Sequence, residues 1–189
     1  MNEPNTTSAV PSSQGEAIQH LGLGDQEVWV LPDTFFVQEA NLFALEATEQ
    51  EITEFLSNNG FASNQLRLSA CPVLLKRGGD LILIDAGIGS QIPDSPGSLA
   101  QKLVAIGVRP EEISAVLITH LHVDHIGGAF DPETGRSLFP NAIFYITEPE
   151  INFWKNPDLS QAEKVPREFL ELTVQTAQRA IESLPIQTF

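Results

Sequence analysis

The stretch Thr119-His-Leu-His-Val-Asp-His-Ile-Gly-Gly128 holds three of the four histidines of the chain, together with an aspartate. His120, His122 and Asp124 alternate along it, and alternate side chains of an extended segment point to the same side. The apolar run ISAVLIT at 113–119 directly precedes His120 and is typical of a buried strand. The histidines therefore follow the carboxyl end of a strand, which is where open α/β sheets bind their ligands.

The residue types in this stretch indicate a metal centre. Imidazole and carboxylate groups suit Zn²⁺ and similar divalent metals. Four donors within six residues exceed what one tetrahedral ion takes from one segment, so the spacing favours two adjacent ions. We expect His120 and His122 on one ion, and Asp124 and His125 on the other. Two such ions can share a bridging hydroxide that attacks carbonyl or phosphoryl esters. The alternative is a group of ordinary loop or core histidines.

The flanking segments predict an α/β domain. Thr48 and Glu51 have the spacing of a capping box, and Ile52, Phe55 and Leu56 share the predicted buried face of the helix that follows. The predicted elements are a first strand near 28–31, this helix up to residue 60, a hairpin around residues 78–79, a helix at 99–106, a strand at 113–119 buried on both faces, a strand at 142–147, a short helix at 148–157 and a long helix at 165–184.

Charge and composition restrict the partners. The chain has 25 Asp and Glu against 10 Lys and Arg, a net charge of -15, which disfavours nucleic acid and anionic membranes. No apolar run approaches the about 18 residues of a membrane span, and the start lacks the pattern of a signal peptide. We therefore expect a cytoplasmic protein whose residues 1–16 are a disordered tail. Cys71 is predicted to be a buried thiol and His20 a surface residue.

The pattern His120-x-His122-x-Asp124-His125 resembles the signature of the metallo-β-lactamase-fold hydrolases. The flanking segments are similar to the branch that holds methyl parathion hydrolase and related lactonases and arylesterases: LLKRGGDLILIDAGIGS, LVAIGVRPEEISAVLITHLHVDHIGG and FPNAIFYITEPEINFW. The resemblance implies an α/β fold of the αβ/βα sandwich type with a dinuclear metal site, usually of two Zn²⁺. It also implies that His120 and His122 bind the first metal, and that Asp124 and His125 bind the second.

The resemblance implies further roles at this site. Asp85 matches a family aspartate that supports the site without binding metal, and the alternative is an aspartate that caps the following turn. Asp124 is expected to help orient the attacking hydroxide, which makes it the candidate catalytic residue. The implied substrates are small esters, lactones or phosphotriesters. Phe130, Phe139 and Trp154 are candidates for an apolar substrate pocket, and plain core is their alternative.

The downstream sequence lacks donors that the family pattern requires. No histidine follows His125, and Asp131 and Asp158 lie in predicted loops. We therefore expect residues 17–189 to be the N-terminal portion of a hydrolase domain, with the second half missing and weak catalysis by this chain alone. An inactive, truncated metal-binding or interaction remnant is the alternative. Such a fragment should expose one face of its sheet, and a homodimer that pools ligands is compatible with it.

Overall fold

The structure is a computed structural model that describes residues 17–92, 96–160, 162–163 and 165–189. Its strands are β1 (Gln19–Leu23), β2 (Gln26–Val30), β3 (Thr34–Glu39), β4 (Gln65–Ala70), β5 (Val73–Arg77), β6 (Asp80–Ile84), β7 (Ala115–Leu117), β8 (Ile143–Ile146) and β9 (Ile186–Thr188). Its α-helices are α1 (Glu49–Asn58), α2 (Leu99–Ala105), α3 (Val123–Ile126), α4 (Glu148–Lys155) and α5 (Arg167–Ser183). The predicted tail at 1–16 lies outside the described residues.

The strands form one large sheet and one small sheet. The large sheet has the order β1-β2-β5-β6-β7-β8-β9, and β3 pairs with β4. Strands β1, β2, β5 and β6 are antiparallel, whereas β6 through β9 are parallel. Parallel neighbours need crossover connections, and helices provide them here. The predicted α/β class is confirmed. Because β6 and β7 are parallel neighbours, their carboxyl ends lie at the same edge of the sheet.

The main core lies on one face of the large sheet. Leu83, Val116 and Phe144 are fully buried there, and the core cluster joins them to residues of α2, α4 and α5. On the opposite face Leu117 and Ile143 are 37% and 44% exposed. The prediction that the strand before the histidines is buried on both faces is therefore wrong. The Val116 side chain, at the centre of β7, faces the helical layer. The Leu117 side chain, next along the strand, faces away from it.

Most of the helices and strands predicted from local sequence signals are present in the structure. The capping box is present, because Thr48 Oγ1 accepts from the Glu51 amide and the Thr48 amide donates to the Glu51 carboxylate. The predicted hairpin at residues 78–79 joins β5 to β6, which pair as antiparallel neighbours. Two predictions are wrong in detail: β2 is preceded by the exposed strand β1, and Phe55 is 66% exposed, because the face of α1 that packs carries only Ile52 and Leu56.

The small sheet was not predicted from the sequence. β3 and β4 pair along their whole length, yet 25 residues with helix α1 separate them. Such pairing depends on loop closure and long-range packing, which local patterns do not report. A small cluster of Ala40, Ile52 and Leu56 joins α1 to this sheet, with Leu66 packed against it.

Cys71 and His20 were each given a predicted burial from the sequence, and the structure tests both predictions. Cys71 is exposed, so its prediction as a buried thiol is wrong. It lies between the end of β4 and the start of β5, and the apolar run that surrounds it is divided between the two sheets. His20 is exposed as predicted, and its ring stacks on Trp29 at 4.7 Å between centroids. Of the helices in the described ranges, none has the length and apolar character needed to cross a bilayer.

Candidate metal centre

The histidine-rich stretch begins at the carboxyl end of β7, beside the end of β6. The pairing of Ile84 with Leu117 puts the residues that follow the two strands next to each other. Asp85 follows β6 with φ of 58°, a left-handed conformation that is uncommon for a residue other than glycine. Such a conformation is maintained only where surrounding contacts compensate for its cost.

Hydrogen bonds of the Asp85 carboxylate supply that compensation. The Thr119 amide donates to Asp85 Oδ1 at 2.8 Å, and the Thr119 hydroxyl lies 2.9 Å from Oδ2. His125 Nδ1 lies 2.8 Å from the same Oδ2. Asp85 therefore bridges the end of β7 to the ring of His125.

Glycines bring the next turn against the end of β6. The short helix α3 follows its N-cap residue His122, whose carbonyl accepts from the amides of His125 and Ile126. Behind this turn the Gly128 amide donates to the Gly87 carbonyl at 2.9 Å. A Cβ atom on Gly128 would lie 2.0 Å from the Ala86 carbonyl oxygen. Only glycine allows the two backbones this close approach.

The four predicted metal ligands lie together. The rings of His120 and His122 are 4.5 Å apart between centroids, and those of His120 and His125 are 4.0 Å apart. Asp124 Oδ2 lies 3.4 Å from His125 Nε2. Within the part of the chain that the structure describes, no three His, Cys, Asp or Glu side chains form a group arranged to hold one ion. His125 Nε2 forms an ion pair with the Asp124 carboxylate instead. The donor types nevertheless fit a borderline divalent metal, with two donors for each of two ions.

The protonation of the cluster follows from burial and from the two carboxylates. Burial lowers the pKa of His120 and of His122, so both rings are neutral at pH 7, the form that binds metal. Burial also acts to lower the pKa of His125, but hydrogen bonds to Asp124 and Asp85 outweigh it and raise that pKa to about 9. For Asp124, burial opposes the hydrogen bond and charge of His125, and the net effect is a lowered pKa.

Glu150 is a residue of this site that the sequence did not reveal. Its Oε2 atom accepts from the Leu121 amide at 2.9 Å and from the Trp154 indole Nε1 at 2.9 Å. Leu121 is the residue between His120 and His122, and the Trp154 ring packs edge-on against His122 at 5.7 Å. One carboxylate oxygen thus fixes both the backbone between the two histidines and the aromatic ring beside them. The only signal for it in the sequence is a carboxylate near the start of α4.

The cluster lies in the wall of a cavity of about 560 Å³. Its other described walls come from β3, β4, α4, α5 and the segments before α1 and between α4 and α5. They are mostly apolar, including Phe36, Leu68, Phe153, Trp154, Phe169 and Leu170. Trp154 therefore lines the pocket as predicted. For Phe130 and Phe139 the alternative of plain core holds, because these rings are 1% and 3% exposed in the main core and do not line this cavity.

A family model described as the metallo-beta-lactamase superfamily matches residues 72–171, which are 100 of the 189 residues of the chain. The chain belongs to the metallo-beta-lactamase superfamily. The matched residues include β5 to β8, Asp85, the histidine-rich stretch and Glu150. The family predicted from the sequence is confirmed.

Two solved structures resemble this superfamily member along most of its length. AidC, a dizinc quorum-quenching lactonase, matches with a TM-score of 0.78 and 26% identity over 91% of this chain. The hydrolase AbOPH, of the beta lactamase superfamily, matches with a TM-score of 0.72 and 30% identity over 91% of this chain. A curated relative, ribonuclease Z of Treponema pallidum, is 43% identical over 56 residues, 30% of this chain. The chain spans 60% of the length of AidC and AbOPH and 15 to 35% of curated relatives that it matches.

Proposed function

We propose that this chain carries metal ligands and part of the substrate pocket of a hydrolase for small, neutral esters, lactones or phosphotriesters. One observation carries the proposal: His120, His122, Asp124 and His125 lie together in the wall of a mostly apolar cavity. Residues 17–189 would form the N-terminal portion of the hydrolase domain. The similarity to AidC, a dizinc lactonase, and to the hydrolase AbOPH supports the same activity.

The site residues would have separate roles in binding metal and in orienting the reacting groups. His120 and His122 would hold one ion and Asp124 and His125 the other, with Zn²⁺ the first candidate from the donor set. Bound metal ions would polarise the carbonyl or phosphoryl oxygen of the substrate and lower the pKa of a water molecule. Asp85 would hold the His125 ring through Nδ1, and Asp124, the candidate catalytic carboxylate, would orient the attacking water.

The cavity favours neutral substrates. Its described walls contain no lysine or arginine, so an anionic group would find only the histidines as positive partners. The net charge of -15 also opposes binding of a polyanion. Nucleic acid is therefore outside the proposal, although the ribonuclease Z similarity makes RNA a useful comparison substrate. A cytoplasmic location and a homodimer stay predictions from the sequence.

A second candidate function is metal binding without catalysis. It is favoured by one observation, that the described residues contain no group of three donors arranged to hold one ion. A catalytic zinc site usually has three protein ligands, and two per ion give weaker binding. The two candidates differ in turnover rather than in the ligands that they use.

A zinc titration of the 189-residue chain tests the ligands, with a chromophoric chelator as the competitor. We expect two Zn²⁺ per chain, one fewer for His122→Ala and an unchanged result for His20→Ala, the exposed histidine outside the cluster. Hydrolysis of a γ-lactone, an aryl ester and an aryl phosphotriester, with an RNA oligonucleotide for comparison, then separates the two candidates. Equal zinc binding by His122→Ala and the unmodified chain would refute the ligand assignment. Zinc binding without turnover of any substrate would favour the second candidate.

The contacts of Glu150 predict an effect on metal affinity. Glu150→Ala removes the acceptor for the Leu121 amide and the Trp154 indole, so we expect zinc affinity to fall about tenfold, as for other groups that orient metal ligands. Glu150→Gln keeps an oxygen acceptor and should restore most of the affinity. Glu148→Ala, an exposed carboxylate on the same helix, is the control. The same chelator competition measures all three, and an unchanged affinity for Glu150→Ala would contradict the prediction.

A further inference from the structure

The Thr119 hydroxyl lies between the Asp85 carboxylate and two of the candidate metal ligands. Its Oγ1 atom is 3.0 Å from Asp85 Oδ1 and 2.9 Å from Asp85 Oδ2. The same atom is 3.1 Å from His120 Nδ1 and 3.3 Å from His125 Nδ1. His120 and His125 are assigned to different ions, so one hydroxyl lies within hydrogen-bond distance of a candidate ligand of each ion.

The directions of these hydrogen bonds follow from the protons that each group carries. An aspartate carboxylate is ionised at neutral pH and only accepts, so the Thr119 hydroxyl donates its single proton to Asp85. The hydroxyl oxygen can then only accept, and the donor that His120 offers to it is Nδ1–H. A neutral imidazole carries one N–H, so the lone pair of His120 Nε2 stays free.

The same carboxylate orients His125 by direct contact. His125 Nδ1 is closer to Asp85 Oδ2, at 2.8 Å, than to the Thr119 hydroxyl, at 3.3 Å, so Nδ1–H donates to the carboxylate. Nε2 of His125 then faces Asp124, the other candidate ligand of the same ion. The tautomer of a histidine that binds metal is set by the hydrogen bond of its second ring nitrogen. Asp85 therefore acts on His125 directly and on His120 through one hydroxyl.

We propose that Thr119 is a positioning residue of the metal centre: its hydroxyl connects Asp85 to His120 and fixes that ring as the Nδ1–H tautomer, with Nε2 free for a metal ion. One carboxylate then sets the tautomer of one histidine ligand on each ion. The inference rests on the proposed function only in taking His120 and His125 as metal ligands, because the hydrogen bonds themselves form without metal.

Proton–nitrogen NMR of the metal-free protein tests the tautomer of His120. Long-range spectra of the chain, isotope-labelled at its histidine ring nitrogens and kept in EDTA at pH 8, distinguish the two neutral forms. The His120 signals are identified by their loss in His120→Gln, and we expect the Nδ1–H form. Thr119→Val, which keeps the shape without the hydroxyl, should shift the tautomer ratio about two- to tenfold toward Nε2–H, the value of one hydrogen bond. Thr119→Ser should restore the ratio.

Asp85→Ala tests whether the carboxylate acts on His120 through the hydroxyl. Without its acceptor the Thr119 hydroxyl can donate to His120 Nδ1, so we expect the His120 ratio to shift toward Nε2–H in this variant too. In Thr119→Val the bond between His125 and Asp85 remains, and the His125 signals should stay unchanged. Thr188→Val is the control, since Thr188 is exposed on β9 outside the cluster, and it should change neither ring.

Zinc affinity, measured by the same chelator competition, provides the second readout. We expect Thr119→Val to lower the affinity for one of the two Zn²⁺ about tenfold, and Thr119→Ser to restore it. An Nε2–H ring at His120 in the unmodified chain, a Thr119→Val spectrum identical to that of the unmodified chain, or a zinc affinity that Thr119→Val leaves unchanged would overturn the inference.

The tautomer also separates this inference from the proposed function. A chain that binds no zinc but shows an Nδ1–H ring at His120 that depends on Thr119 would refute the ligand assignment, and with it the metal role of Thr119, while the hydrogen bonds would stand. A chain that binds two Zn²⁺ and hydrolyses an ester, with no dependence of either readout on Thr119, would support the hydrolase and refute the role of the hydroxyl.

Discussion

Replacement of Gly128 by alanine is expected to destabilise the fold by about 3 kcal/mol. The new methyl group would lie 2.0 Å from the Ala86 carbonyl oxygen and 3.3 Å from the Gly89 amide nitrogen. These neighbours are backbone atoms and cannot rotate away as a flexible side chain would. Relief of the clash would have to separate the turn after the histidines from the end of β6. The hydrogen bond from Gly128 to Gly87 and the contact of His125 with Asp85 would weaken together.

Gly79→Ala is the matched control for this prediction. A Cβ atom on Gly79 would meet nothing within 4 Å, and its φ is outside the left-handed range. Its unfolding free energy in urea should therefore stay within about 0.5 kcal/mol of that of the unmodified chain, as for ordinary surface substitutions. The close contact of the two backbones would be contradicted if Gly128→Ala also stayed within that range.

The second large effect is expected for Asp33→Ala, at about 2–5 kcal/mol of unfolding free energy. Asp33 is 5% exposed, and its carboxylate accepts from the Ile88 amide at 2.8 Å and the Leu99 amide at 2.7 Å. Each buried donor left unpaired costs about 1–3 kcal/mol. Asp33 thereby joins the segment before β3 to the loop after β6 and to the start of α2. Asp33→Asn, with one oxygen acceptor, should lose about half as much.

The stability that Asp33 provides should also depend on pH. Burial raises the pKa of the Asp33 carboxyl above its ordinary value, although its amide hydrogen bonds act in the opposite direction. A raised pKa in the folded state means that the native chain binds this proton more tightly than the unfolded chain. The contribution of Asp33 is therefore greatest below the unfolded pKa and falls as pH rises through the folded pKa.

Urea unfolding between pH 4 and pH 8 measures both predictions for Asp33. The difference in unfolding free energy between the unmodified chain and Asp33→Ala should decrease with rising pH and then level off. The exposed Asp25→Ala is the control and should show neither the loss nor this trend. A difference that grows with pH would show that the folded-state pKa is lowered instead, and a loss below about 1 kcal/mol would contradict the role of the two amides.

Local chemistry explains what could be predicted from the sequence. The capping box at Thr48, the hairpin at residues 78–79 and the helical periodicity of α2 and α5 are interactions between near neighbours, so their signals lie within a few residues. The cluster of His120, His122, Asp124 and His125 is equally local, because one turn of chain after β7 carries all four donors. The pairing of β3 with β4 and the exposure of Phe55 and Cys71 depend on distant packing.

The sequence by itself determined the donor set and the carboxyl end of a strand that presents it. Only the tertiary structure decided which groups orient those donors. Asp85 reaches His125 because β6 and β7 are parallel neighbours, and Glu150 reaches Leu121 because α4 follows the next strand of the sheet. The cavity likewise arises where β3, β4, α4 and α5 meet the cluster. These contacts join residues far apart in the chain, and their energies depend on three-dimensional packing that no local pattern records.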